Sequence, residues 1–435
     1  MSMEIRHVAV IGGGTMGAGI AAACAAAGRD VVVLETTEDL AEKARARVLG
    51  LAGDDERAEV EAHLTVGTLD HDLPLVGDCD WICEAVVEDL DVKRAVLSRI
   101  DGARRDGSIV STNTSGIPLA ALVEGAGERL RADTVVPHFF NPVRVMRLLE
   151  LVGSDDTDPE AIETLRRFLH DDLHKGVVDA KDTPNFIGNR IGCGFILSGM
   201  HAAVRHRAAG LAVDEIDALL GAPVGLPPTG LFGLVDLIGL DVMDLIARNL
   251  TATLPADDVG RATARLPEAE RRMLERGQIG RKAGGGYYRL VRTADGGKAK
   301  EVYDPEAGTW SPARRFAVAP SLDGLADRFF ADDATGDLLR DLLGETLLHA
   351  ADLVPEIADE IVAVDRAMRW GFAWAAGPFE LLDRIGPHRL IAHLRRSGRP
   401  VPHMLSVLEA AGGETFYRDE RQLHPDGRWV DVPPE

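Results

Sequence analysis

Cysteine is scarce in this chain, four residues in 435. Cys24, Cys79, Cys83 and Cys193 sit in apolar or helical stretches without metal-ligand spacing. That excludes a disulfide framework and a cysteine metal site, and reads as reduced core residues of a cytoplasmic protein. Positive charge is also short, with 48 Lys and Arg against 70 Asp and Glu and a formal charge of -22. Nucleic acid and anionic membrane, which demand clustered cations, are thereby excluded as partners. No apolar run approaches the roughly 18 residues of a membrane span, and the first residues lead into a strand without a basic segment, apolar run and cleavage site. A soluble, unexported protein is expected. What is plentiful is apolar sequence, 46% of the residues, enough for about two to four globular domains at this length.

One histidine and one carboxylate stand on either side of a turn in PHFFNPVRVMRLLELV, residues 137–152. Val135–Phe140 and Leu148–Val152 read as strands and Asn141–Met146 as their connection. His138 and Glu150 are equidistant from Arg144, so an antiparallel hairpin centred there sets them opposite each other. Cross-strand Cβ atoms are about 4.5–5.5 Å apart, close enough for a carboxylate to fix one tautomer of an imidazole and favour its protonated form. The stretch alone leaves two readings open, a general base and a buried histidine satisfied by an acid.

The amino-terminal part supplies a context. HVAVI, residues 7–11, is a buried-strand run followed by GGGTMG, then an Ala-rich helix to Ala27 and a second strand ending at Glu35. In this βαβ unit Gly12 permits the tight turn, Gly14 admits a pyrophosphate, and Gly17 lets helix and strand approach. Thr15 and Met16 lie within the glycine-rich turn ahead of the helix Ala18–Ala27, whose N–H groups and dipole favour phosphate. Glu35 is placed to accept from an adenosine ribose and to repel a 2′-phosphate, which predicts NAD in preference to NADP. Strands near Leu64–Thr68, Trp81–Val86 and Ser108–Ser111 alternate with helices, predicting a doubly wound parallel sheet with ligands at the carboxyl ends of its strands. Glu88 and Lys93 follow one such end. Ser115 follows the next and reads equally as a helix cap.

From about Pro159 the pattern turns helical, with Glu160–His174 read as one helix and another beginning within DTPNFIGNRIGCGF. Asn189, inside that apolar stretch, is either a satisfied core amide or a ligand-facing donor. GLPPTGLFGLVDLIGLDV returns as GFAWAAGPFELLDRIGPHRL: Gly230, Phe232, Asp236 and Gly239 match Gly377, Phe379, Asp383 and Gly386 at an offset of 147 (377 − 230). Upstream, EIDALLGAP and EIVAVDRAM match at an offset of 145 (360 − 215). A helical domain is therefore used twice. The second copy holds nothing like FIGNR and is expected to be structural. Between the copies, 280–310 reads as a hairpin-like connection, and Lys282 in it is a solvated charge or a phosphate or carboxylate contact.

With VIGGGTMGAGIA, CEAVVEDLDVK, STNTSG, PHFFNPVRVMRLLELV, DTPNFIGNR, GLPPTGLFGLVDLIGLD and GRKAGGGYY in place, the chain resembles the L-3-hydroxyacyl-CoA dehydrogenase family over nearly its whole length. The doubled helical part resembles the bacterial multifunctional fatty-acid oxidation proteins, whose hydratase activity is not expected of this chain. The resemblance implies an α/β fold, a Rossmann-type domain over 1–182 followed by two repeated all-α domains, 183–290 and 319–425, joined by a β-type linker, 291–318. It implies NAD-dependent interconversion of 3-hydroxyacyl-CoA and 3-oxoacyl-CoA in fatty-acid β-oxidation. In it His138 is the general base, Glu150 orients it, and Ser115 and Asn189 bind the substrate's 3-oxygen. Glu88, Lys93, Asn141 and Lys282 match positions that contact or border the nicotinamide cofactor. A hydratase or thiolase would then be a partner in trans. Relatives with one helical domain dimerise through it, so the tandem copy implies a pseudo-dimer within one chain. Two positions depart from the family pattern, Ala283 for Thr and Gly116 for Ser.

Overall fold

The computed structural model describes residues 3–294, 296–316 and 321–435. The expected end of the linker at 318 and start of the second helical domain at 319 lie outside the described residues. The chain divides into two units, one running to Phe186 and including Glu435, the other Ile187–Pro434.

The first unit is built on β1, His7–Ile11. Its alternate residues point to opposite faces, and both faces are apolar: Val8 and Val10 join one core while Ala9 and Ile11 join the other. A strand buried on both sides must lie inside a sheet covered by helices on both faces. Seven further strands surround it: β2 Asp30–Glu35, β3 Leu64–Thr68, β4 Trp81–Glu84, β5 Ile109–Thr112, β6 Thr134–Phe139, β7 Leu148–Val152 and β8 Gly176–Asp179. They lie in the order β3-β2-β1-β4-β5-β6-β7-β8. The direction of strand succession reverses at β1, which places a ligand crevice outside the carboxyl ends of β1 and β4. Among the described residues only β6 and β7 pair antiparallel in this sheet.

β8 was not expected. The stretch read as one helix to His174 is a helix over Pro159–Arg167, then a wider π-type turn over Phe168–Asp172. The chain reverses at His174, whose φ of 54° is left-handed, and enters a strand of only four residues. Four residues carry too little alternation to declare themselves.

In the second unit the helical copies are related residue by residue. Asp236 accepts the N–H groups of Tyr287 and Tyr288, each at 2.7 Å. Asp383 accepts those of Phe416 and Tyr417 at 2.6 and 3.1 Å. These carboxylates tie each set of helices to a three-stranded antiparallel sheet. The first is β9 Tyr288–Arg292, β10 Lys298–Asp304 and β11 Thr309–Pro312; the second is β12 Tyr417–Arg418, β13 Arg421–Leu423 and β14 Trp429–Asp431. The β-type stretch expected as a linker is thus fastened to the first copy, and the second copy's sheet continues past residue 425. The upstream match also shifts. Asp217 accepts from Phe232 and Gly233 N–H, and Asp365 accepts from Phe379 and Glu380 N–H. The true equivalents are Asp217 and Asp365, an offset of 148 (365 − 217) where the Glu-Ile identity had suggested 145.

Candidate active site

The glycine turn follows β1. Gly12 has a φ of 100°, and a Cβ there would stand 2.8 Å from the Ala85 carbonyl oxygen. A side chain at Gly17 would collide with the Gly12 carbonyl. These two glycines are therefore required by the fold alone. Gly14 differs: a Cβ there would meet nothing within 4 Å. It is the N-cap of the helix Thr15–Ala26, which has neither a capping side chain nor an acid in its first turn. Free space, open N–H groups and a positive helix end together suit a pyrophosphate. Thr15 is exposed and Met16 half-buried beside this space. Glu35 accepts the Gly13 N–H at 2.7 Å and the Thr36 N–H at 3.3 Å, so the carboxylate is held across the turn at the end of β2. The residues fit a dinucleotide.

At the end of β4 sits a cluster that sequence reasoning did not find. Glu84 is fully buried and accepts from Lys93 Nζ at 2.9 and 3.0 Å, Thr112 Oγ1 at 2.6 Å and Val86 N–H at 2.6 Å. Lys93 is 1% exposed and also reaches Glu88 Oε2 at 3.4 Å. Glu88 in turn accepts from Thr114 Oγ1 at 2.7 Å, Ser115 N–H at 2.8 Å and Gly116 N–H at 3.2 Å. Lys93 is thus inside the protein, and Glu88 holds the loop that carries Ser115. The signal available was a carboxylate, Glu84, within the apolar strand run WICEAVV. On the far side of the same loop Asp182 accepts the N–H groups of Leu119 and Ala120 at 2.5 and 2.8 Å. Burial raises the pKa of Asp182 against the pull of those N–H donors.

His138 and Glu150 are register partners in the antiparallel pair β6–β7, as the hairpin centred on Arg144 predicts. Nδ1 of His138 lies 2.6 Å from Glu150 Oε2, with the residues 3% and 0% exposed. An ionised carboxylate only accepts, so Nδ1 carries the hydrogen of this contact, and in the neutral imidazole Nε2 is then the acceptor. The imidazole packs against Phe140 and Phe186, ring centroids 4.6 and 5.6 Å apart. Asn113 Oδ1 accepts the Phe139 N–H at 3.0 Å, tying the end of β5 to the strand of His138. β6 is parallel to β5, so His138 lies toward the carboxyl edge of the sheet, the edge of the glycine turn and of Glu84. Asn141, three residues on, is exposed.

The remaining predicted residues are in the second unit. Asn189 is half-buried at the start of a π-type turn, Asn189–Cys193, and its Oδ1 accepts from Cys193 Sγ at 3.5 Å. Lys282 pairs with Asp241 at 2.7 Å. All four cysteines are buried and none is in a disulfide, and burial pushes the thiols of Cys79 and Cys83 up to about 12. Among the described residues no group of three or more His, Cys, Asp or Glu side chains is arranged to hold a metal ion. No helix among them is long and apolar enough to cross a membrane.

Residues 7–183 match the NAD-binding domain of 3-hydroxyacyl-CoA dehydrogenases, and residues 186–290 match their C-terminal domain. The chain belongs to the 3-hydroxyacyl-CoA dehydrogenase family. A probable 3-hydroxyacyl-CoA dehydrogenase of Bacillus subtilis is 34% identical over 97% of this chain and 56% of its own length. A 3-hydroxybutyryl-CoA dehydrogenase of Mycobacterium tuberculosis is 34% identical over 66% of this chain and 99% of its own. The chain thus spans little more than half of the longer B. subtilis relative. The crystal structure of 3-hydroxybutyryl-CoA dehydrogenase from Escherichia coli shares the fold across 93% of this chain and 98% of its own, with a TM-score of 0.68 at 21% identity. In family terms the first unit is the NAD-binding domain, and the doubled helical region has a counterpart of matching extent in a solved structure.

Proposed function

We propose that this chain is an NAD-dependent (S)-3-hydroxyacyl-CoA dehydrogenase that interconverts 3-hydroxyacyl-CoA and 3-oxoacyl-CoA. The observation that carries the reading is the buried His138–Glu150 pair at 2.6 Å, on the sheet edge that also bears the open glycine turn. When bound, the nicotinamide supplies the hydride acceptor or donor. His138 takes the proton of the substrate's 3-hydroxyl at Nε2, and Glu150 stabilises the imidazolium that results. Ser115, held in its loop by Glu88, and Asn189 donate to the 3-oxygen as it gains charge. Glu35 would accept from the ribose hydroxyls, and Asn141 and Lys282 match positions that contact or border the nicotinamide cofactor in the family. Lys93 acts through Glu88 as a positioning residue.

The same reading places the enzyme in the cytoplasm in fatty-acid β-oxidation, with a hydratase or thiolase acting in sequence with it. It also makes the two helical copies an internal pseudo-dimer. Supporting that are contacts between the copies: Ala375 N–H donates to the Gly225 carbonyl at 2.8 Å, and His206 Nε2 lies 2.8 Å from Asp341.

NADH oxidation with acetoacetyl-CoA tests the reading. Turnover with NADH, weak turnover with NADPH, and a fall of roughly 10²–10⁴-fold in His138→Gln are expected from the loss of a general base. Tight NADH binding without turnover of short or long 3-oxoacyl-CoA would overturn the substrate class.

A further inference from the structure

The helix bearing Asn189 does not begin as an ordinary α-helix. Its first five residues, Asn189–Cys193, form a π-type turn that continues into Gly194–Ala208. Such turns are rare and occur frequently at functional sites. Here part of what holds the turn belongs to the second helical copy. The Phe372 ring occupies the space that a side chain at Gly192 would fill. Arg190, 2% exposed, pairs with Asp258 and reaches Glu356 Oε1 at 3.5 Å. Trp374 sets its edge against Phe195, centroids 5.6 Å apart. Between Phe372 and Trp374, Ala373 has a φ of 55°, a left-handed conformation that alanine adopts only when neighbours enforce it. The turn after Ile361–Gly371 is therefore bent so that two aromatic rings bear on the helix start that carries Asn189.

We propose that the second helical copy is not passive: Phe372, with Glu356 acting through Arg190, holds the π-type turn in the form that aims the Asn189 carboxamide, and both are positioning residues for the reaction. Gly192 is the matching concession on the other side, since only glycine leaves room for the ring. The Cys193 contact to Asn189 Oδ1 lies in the same turn, so a change in its winding moves the carboxamide directly. The inference rests on Asn189 binding the substrate's oxygen, and it departs from a purely structural role for the second copy.

The experiment measures kcat and KM for acetoacetyl-CoA, NADH affinity by fluorescence and the melting temperature for the full chain and for Phe372→Ala, Phe372→Leu, Gly192→Ala, Gly192→Ala/Phe372→Ala and Asn189→Ala. Phe372→Ala is expected to lose roughly 10²-fold in kcat, the scale on which a displaced reacting group is felt, with NADH affinity unchanged because the dinucleotide fold is untouched. Phe372→Leu, which retains most of the side-chain volume, is expected to recover part of that loss, as a general loss of stability would not. Gly192→Ala is expected to lose kcat by collision with the ring, and the double variant to regain part of it. A folded Phe372→Ala chain with kcat within about twofold of the parent overturns the proposal, as does a folded double variant no better than Gly192→Ala. Should Phe372→Ala not fold, Phe372→Leu decides against the same twofold limit. Loss in Asn189→Ala without loss in the Phe372 variants defeats this proposal alone, whereas an unaffected Asn189→Ala defeats the role of Asn189 on which it stands.

Discussion

Asp217 and Asp365 hold the same post in the two helical copies. Asp217 accepts from Phe232 and Gly233 N–H at the start of one helix and from the Tyr288 hydroxyl at 2.7 Å. Asp365 accepts from Phe379 and Glu380 N–H at the start of its counterpart and from the Tyr417 hydroxyl at 2.8 Å. Each carboxylate joins two helices and a β-sheet at one point, so the repeat is a repeat of buried capping chemistry as well as of apolar pattern.

Burial raises the carboxyl pKa of Asp217 to about 7, against the opposing pull of Tyr288 and the two N–H groups. A folded state that holds its proton more tightly than the unfolded chain gains stability that is complete below the unfolded pKa of about 3.9 and is lost as pH climbs through the folded value. The denaturation midpoint is therefore expected to fall between about pH 4 and about pH 7 through this group, and Asp217→Asn to flatten that part of the curve. Histidines such as His349, whose pKa burial lowers, act with the opposite sign, so the comparison with the variant is the decisive measurement. A pH dependence identical in the two proteins would remove Asp217 as its source.

The His138–Glu150 pairing was legible because a hairpin leaves few choices: once the turn centre is placed at Arg144, strand parity decides which residues face each other. The glycine turn was legible because its strand, helix and terminal acid occur together. Glu84 was not. Its partners Lys93 and Thr112 come from a helix and a neighbouring strand, and only the sheet order brings them together. Lys93 shows the same limit: its place after a strand reads as a loop or cap position, and its buried pairing with Glu84 and Glu88 depends on that sheet order. β8 escaped by its brevity. The upstream half of the repeat was misregistered because a Glu-Ile identity outweighed the single aspartate that caps the next helix.

Glu150 faces His138 from a fully buried position, so Glu150→Gln keeps the shape and removes the charge. The imidazolium formed during turnover then lacks its counter-charge, and Gln presents an amide that can lock the opposite tautomer. General-base assistance is worth roughly 10²–10⁴-fold, and Glu150→Gln is expected to forfeit at least about a tenfold part of it in kcat, with NADH affinity intact. Stopped-flow reduction of acetoacetyl-CoA checks this; a chemical step at the parent rate would reduce the dyad to a packing contact.

The Glu84–Lys93 pair is expected to matter for stability. Removing one member strands a buried charge, which typically costs about 3–5 kcal/mol, whereas replacing both by apolar groups of similar volume is often near neutral. Glu84→Gln should therefore lower the urea midpoint sharply, and Glu84→Leu/Lys93→Met should recover much of the loss. Because Lys93 also supports Glu88 under Ser115, the double variant is expected to remain poor in turnover after its stability has returned. A double variant as unstable as the single one would show that the hydrogen bonds to Thr112 and Val86, and not the charge pair, dominate.

The glycine turn separates fold from binding most cleanly. Gly14 has ordinary extended backbone angles, φ −65° and ψ −165°, and open space where its Cβ would stand, while a side chain at Gly17 meets the Gly12 carbonyl. Gly14→Ala is accordingly expected to melt with the parent, since alanine removes conformational freedom from the unfolded chain and strains nothing in the folded one. It should nonetheless weaken NADH binding by about tenfold or more, because the added methyl stands where the pyrophosphate must approach the backbone. Gly17→Ala should instead lose stability first, through forced separation of β1 from its helix. Calorimetry with and without NADH reads both effects at once: Gly14→Ala should lose the ligand-induced rise in melting temperature but not the intrinsic melting point, and Gly17→Ala the reverse in order of severity. If Gly14→Ala binds NADH as the parent does, the open space at that turn belongs to solvent and the dinucleotide lies elsewhere.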